Sequence, residues 1–243
     1  MSIPWASGPG ELLQHGLNLL KTDSDSNRRI AMISIDNSVE LMVKTYLGLP
    51  QRINQLKIPR REYQEICESF PSLLDALEKY ASDKIAGINL GEIEWYHRLR
   101  NELYHQGNGL TVEKNNVTVY AELANILFEK LFGEKLVETK DFSSVLLGEF
   151  MSLWIELEKM TQPYLINGGK DNKIYFNNPQ VLFDKGVLSK NQIENYNHIK
   201  KIRNEVVHGK IKAEDYLNNK IIEELKDIIE VIKNSKYDMS KES

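Results

Sequence analysis

Two stretches of the sequence repeat residue types that can do chemistry. They are Arg100-Asn101-Glu102-Leu103-Tyr104-His105 and Arg203-Asn204-Glu205-Val206-Val207-His208. Four identities recur at the same spacing, and the other two positions stay apolar or aromatic. With this composition, a chance second Arg-Asn-Glu-x-x-His has a probability on the order of a thousandth. Arginine supplies a permanent, bidentate positive fork for a phosphate, and histidine is the side chain that exchanges a proton near neutral pH. Together they suit the cleavage of RNA. One imidazole accepts the 2′-hydroxyl proton, an acid protonates the leaving 5′ oxygen, and arginine neutralises the charge that builds on phosphorus. That scheme needs no metal or cofactor, and the sequence offers no obvious metal cluster.

In one ideal helix, residues five apart are rotated by about 140° and displaced by about 7.5 Å. One copy therefore does not focus its arginine and histidine on a single point. Two antiparallel copies facing each other across a pseudo-twofold axis would do so, which gives a reason for having two. The simpler account is structural: a histidine before glycine is an ordinary helix C-terminus, and Arg with Glu can be an ion-pair network. It leaves the shared Asn and the shared spacing unexplained.

The elements that must position these residues read as helices. Tyr96, Leu99 and Leu103 occupy the positions of Ile199, Ile202 and Val206, and both sets have the i, i+3, i+7 rhythm of a buried helix face. After a loose start through Gly8-Pro9-Gly10, a short helix is predicted over 11–20, with His15 at its surface. Ser26 caps a long helix over 27–47, whose apolar residues include Ile30, Ile33, Val39, Met42, Val43 and Tyr46. Asp36, Asn37, Glu40 and Lys44 line another side of it. Glu40 and Lys44 suit an exposed i, i+4 pair; Asp36 and Asn37 are either solvated with them or turned toward the polar site. The stretch 51–61 reads as a basic loop, 62–68 as a short helix, and Phe70-Pro71 opens another.

The first motif helix runs from Glu92 to just past His105, where Gly107-Asn108-Gly109 is a strong stop. Residues 110–119 read as a small hairpin or a loop entering a helix over 120–132. Asp141 or Ser143 caps a helix to about Met160, a loop follows over 162–178 with Tyr175-Phe176 as its anchor, and Pro179 introduces Val181, Leu182 and Phe183. Ser189 caps the second motif helix, which Gly209 stops. A last helix spans 213–234, and the end frays from Asp238. Each half thus repeats the order long helix, loop, short helix, motif helix, final helix. The expected fold is all-α, with helical domains over 1–136 and 137–243 divided after Gly133.

The bulk properties set limits. The 243 residues carry a net charge of −4, with 41% hydrophobic and 27% charged residues. A nucleic-acid site must then be a local positive patch on an acidic body. Lys200, Lys201, Arg203, His208, Lys210 and Lys212 cluster around the second motif and Arg98 and Arg100 around the first; the lysines serve equally as solvated helix-end residues. Cys67 alone excludes an intrachain disulfide and reads as a buried structural thiol. No signal segment or apolar run of membrane-spanning length is visible, so a cytoplasmic location is expected. Gly-rich phosphate loops, Gly-x-Ser-x-Gly elbows and His-Glu-x-x-His are missing. Trp95 and Trp154 read as core, and His97 and His198 sit at different offsets before their motifs, which sets both aside.

Arg-Asn-x-x-x-His near the end of a helix in a small all-α domain resembles the signature of the HEPN superfamily, and both motif copies fit it. The resemblance implies a helical bundle, a composite site at the interface of two HEPN units, and metal-independent cleavage of single-stranded RNA to 2′,3′-cyclic phosphate ends. It implies Arg100, His105, Arg203 and His208 as catalytic, with Asn101 and Asn204 as supporting polar residues. Glu102 and Glu205 lie outside the signature; they match each other and either hold the arginines or are exposed. Members occur in toxin–antitoxin, abortive-infection and CRISPR systems, so an antitoxin or regulatory protein is an implied partner, and a homodimer is another. A catalytically inactive RNA-binding or protein-interaction module is the alternative. In one toxin subgroup a tyrosine stands two residues after the histidine; Gly107 and Lys210 occupy those positions here, which argues against modification at such a tyrosine.

Overall fold

The computed structural model describes residues 4–105, 111–136, 142–165 and 179–239. Among them the fold is all-α, with twelve α-helices, one short 3-10 turn at Pro4–Ala6 and no strand. The chain divides into two compact units, Met1–Lys140 and Asp141–Ser243.

The first unit is built on two long partners, α1 (Ser7–Leu20) and α2 (Asp25–Gly48). Helix α1 starts earlier than expected and takes in Gly8-Pro9-Gly10. Proline is tolerated in a first turn, where its missing N–H would have no intrahelical partner. The early start extends contact with α2: Ser38 Oγ donates to the Pro9 carbonyl at 2.6 Å and Ser34 Oγ to that of Leu12 at 2.7 Å. At Gly16 the helices come so close that a Cβ would lie 2.7 Å from Ile35 Cγ1. Ser24, not Ser26, caps α2, its side chain accepting the Asn27 N–H at 3.1 Å. Ile30 is exposed rather than part of the core.

The basic stretch after α2 holds short helices α3 (Gln51–Asn54) and α4 (Arg60–Ile66), so part of the expected loop is helical. Cys67 follows α4 and is half-buried rather than buried. Burial, and then the neighbouring Cys67, push the Tyr63 hydroxyl up to about 12. Next come α5 (Phe70–Ala81), capped by Ser69, then the motif helix α6 (Leu90–His105) and α7 (Lys114–Phe132). Val117 and Val119, read from sequence as hairpin or loop, lie inside α7. Both are fully buried, and that packing overrides the strand preference of β-branched residues. Gly133, at φ 76°, closes α7 in the left-handed region.

The second unit contains α8 (Phe142–Leu165), α9 (Gln180–Asp184), the second motif helix α10 (Lys190–Val207), α11 (Ala213–Tyr216) and α12 (Asn219–Met239). Helix α8 begins at Phe142, which puts Ser143 inside its first turn, and it outlasts the expected end at Met160. Ser189 and Gln192 form a capping box at the start of α10. Lys226 and Lys233 of α12 pair with Glu149 and Glu156 of α8 at 2.6 and 2.7 Å. The single last helix expected is two, because Leu217 is extended and the Asn218 side chain accepts the Ile221 N–H at 3.1 Å, starting α12 anew. The Gly107-Asn108-Gly109 stop, Asp141, the loop beyond 165 and the last four residues lie outside the described residues. Among the described residues no helix is long and apolar enough to cross a membrane.

Candidate functional site

Helix α6 buries Ile93, Tyr96 and Leu103, while Leu99 is only partly covered. The turns between them bring His97 and Arg100 to α2, and both meet Asp36, whose side chain is fully buried. Asp36 Oδ2 lies 3.0 Å from Arg100 Nε and 3.0 Å from His97 Nδ1; its Oδ1 accepts the Tyr120 hydroxyl of α7 at 2.8 Å. One carboxylate thus gathers an arginine, a histidine and a tyrosine from two helices. Of the two placements open to Asp36 and Asn37, the structure has them turned toward the motif, while Glu40 and Lys44 pair at 2.5 Å.

Each member is held from a second side. Arg100 donates from Nη1 to Asn101 Oδ1 at 2.8 Å and from Nη2 to Asn37 Oδ1. These two bonds engage one N–H on each terminal nitrogen, while the buried Nε stands 3.0 Å from Asp36 as an ion-pair contact without a hydrogen bond. Guanidinium carries five N–H groups, so each terminal nitrogen has one more to offer an anion. The His97 ring stacks on Phe70 of α5, centroids 4.0 Å apart and planes 11° apart. A carboxylate only accepts, so His97 Nδ1 carries the proton. Tyr120 stacks on Tyr96 at 4.5 Å. Burial first, then the Asp36 charge, hold its pKa well above the ordinary value, so it stays a donor. Arg100 also lies 5.8 Å from the ring centre of exposed Tyr104. His105, at the last position of α6, is exposed and packs edge-on against Tyr104. Glu102 is exposed too; Asp36, Asn37 and Asn101 hold the arginine in its stead.

The second copy is built differently. On α10, Ile199, Ile202 and Val206 are buried and so is Arg203, 4% exposed, with its guanidinium 5.8 Å from the ring centre of Trp154 on α8. Trp154 in turn packs on Tyr196 at 5.7 Å. Asn204 is exposed and Glu205 half-buried. His208 is the exposed C-cap, its backbone N–H bonded to the Asn204 carbonyl at 3.1 Å, and the Lys210 N–H closes on Glu205 O at 2.8 Å. Lys201 and Lys210 are exposed; Lys200 is half-buried, and burial lowers its pKa while Glu158 works against that shift.

Within each unit, then, the structure fixes the arginine and leaves the histidine at an open helix end. Sequence reasoning passed over His97 and Tyr120 and left Asp36 undecided. Its available signal was periodicity: Asp36 falls among Met32, Ile35, Val39 and Val43, on the stripe that α2 buries. A cavity of about 540 Å³ lies elsewhere in the unit, lined by the end of α2, α3 and the start of α4, and shares no residue with the Asp36 cluster. Among the described residues no three His, Cys, Asp or Glu side chains are grouped to hold a metal ion. No protein-family model, curated protein or solved structure matches the chain.

Proposed function

We propose that the chain is a HEPN-type endoribonuclease that cleaves single-stranded RNA without a metal, leaving 2′,3′-cyclic phosphate ends. The observation that carries this reading is Arg100: oriented by Asp36, Asn37 and Asn101, it keeps donors for a phosphate on the helix that ends in exposed His105. Its guanidinium would neutralise charge on the phosphorane while motif imidazoles move the protons. The reading includes a composite site of two motif copies, drawn from one chain or from two. It includes a cytoplasmic toxin or antiviral defence role, with an antitoxin or regulatory protein as partner. Exposed Lys201 and Lys210 would serve the RNA backbone, and half-buried Lys200 would support them.

The second reading is a binding or protein-interaction module without cleavage. Burial of Arg203 against Trp154 favours it, because a covered guanidinium meets no phosphate without rearrangement. One experiment separates the two: purified protein with a labelled single-stranded RNA in EDTA, beside the His105→Ala, His208→Ala double variant. The nuclease reading expects cyclic-phosphate products from wild type and none from the variant, with stability nearly unchanged because both histidines are exposed. RNA retention that is weakened by salt, survives both histidine changes and yields no product would establish the module instead.

A further inference from the structure

Resting on the nuclease reading, we propose that His97, an imidazole outside both motif copies, is the proton acceptor of the Arg100 site. His97 and Arg100 are three residues apart on α6, about 4.5 Å along the axis and about 60° around it. Both reach the same oxygen of Asp36, each at 3.0 Å. Their side chains are 14% and 17% exposed, so neither is fully closed off from solvent. Because Nδ1 donates to Asp36, the basic lone pair sits on Nε2, across the ring from the carboxylate. The Phe70 stack fixes the ring plane.

The groups around His97 suit the role. Asp36 from α2 stabilises the imidazolium that forms when Nε2 takes a proton, Arg100 balances Asp36, and Tyr120 from α7 donates to the same carboxylate. Phe70 from α5 is apolar. His105 is five residues from Arg100 and turned about 140° from it, so it is less able to act on the same phosphate from the same helix.

The step balances without a further reagent. Nε2 of His97 takes the 2′-hydroxyl proton as the O2′–P bond forms. The P–O5′ bond breaks, and the 5′ oxygen takes a proton from a motif imidazolium, His105 or His208. The products are a 2′,3′-cyclic phosphate and a 5′-hydroxyl; His97 then yields its proton to water and the motif imidazole regains one.

The test is the pH–rate profile of single-stranded RNA cleavage in EDTA by wild type, His97→Asn, His105→Gln and His208→Gln, each with a melting curve. Asparagine keeps an N–H where Nδ1 stood and cannot accept a proton near neutral pH. His97→Asn is expected to lower kcat by about 10²–10⁴-fold and to remove the ascending limb of the profile, with KM and melting little changed. An active wild type whose kcat and limb survive His97→Asn overturns the proposal and leaves the nuclease reading intact. A wild type that cleaves no RNA overturns both. Should His97→Asn fail to fold, imidazole nitrogen spectra of wild type titrated with a 2′-deoxy oligonucleotide decide. A shifted His97 Nε2 supports the proposal, and an unmoved His97 beside a shifted His105 overturns it.

Discussion

Arg100 on α6 meets a buried carboxylate, whereas Arg203 on α10 meets the face of an indole. The six-residue strings around them are nearly the same, and each stands at the end of a helix with its histidine exposed. What differs is the long helix beneath: α2 presents Asp36 and Asn37, and α8 presents Trp154. A motif of this kind therefore fixes which side chains are offered, and the packing partner decides what they can do. In the first unit the arginine is oriented by a buried carboxylate and by Asn37 and Asn101; in the second it is covered, 4% exposed, packs against Trp154 and donates from Nη1 to Asn204 Oδ1 at 3.5 Å.

Removing the two platforms gives the largest expected effects. Asp36→Ala leaves half-buried Arg100 without its carboxylate and should destabilise the first unit by about 2–4 kcal/mol. Trp154→Ala empties a core position and should cost the second unit about 3–5 kcal/mol as well. Amide exchange along α6 and α10 reads the units separately, and each variant should lower protection in its own unit. Loss of protection in α10 on changing Asp36 would break the picture of two independently built copies.

Conservative replacements sharpen the comparison. Trp154→Phe keeps an aromatic face for Arg203 and should return all but about 1–2 kcal/mol. Asp36→Asn keeps the shape but not the charge, so at least about 2 kcal/mol of the loss should persist. Urea unfolding of the full chain, with α6 and α10 followed by exchange, checks both. If Asp36→Asn is as stable as wild type, Arg100 does not depend on a charged partner.

How far this was legible in the sequence follows from which forces were local. Helix periodicity and caps are local, so the motif helices, the Ser189 cap and the Gly209 stop could be read directly. The start of α1 and the helical run through Val117 and Val119 could not, because contact with another helix decides each: Ser38 on the Pro9 carbonyl in one case, burial in the other. The Asp36 cluster joins residues 61, 64 and 84 positions apart from Asp36, and only folding brings them together. Its trace in the sequence was a carboxylate on a buried stripe, and that trace is indistinguishable from a solvated residue until the neighbouring helices are placed.

A second buried acid gives the smallest and most pH-specific test of the difference between the units. Glu122 on α7 is 5% exposed, and burial raises its pKa from 4.5 to about 7. Asp36 is met by two hydrogen-bond partners and the Arg100 guanidinium; Glu122 is shifted by burial alone. Between pH 4.5 and 7 the folded chain binds more protons at Glu122 than the unfolded chain does. Stability from this group is therefore full below about pH 4.5, falls as pH rises, and is lost above about pH 7. Glu122→Gln should flatten that slope, stabilise the first unit by about 2 kcal/mol at pH 8, and change little at pH 4. The second unit has no counterpart: its buried polar side chains among the described residues are Thr161 and Arg203, neither an acid. Exchange protection measured along α7 and α10 at pH 5 and pH 8 should thus show the substitution acting on α7 at the higher pH only. A slope that persists in Glu122→Gln would move the titrating group elsewhere.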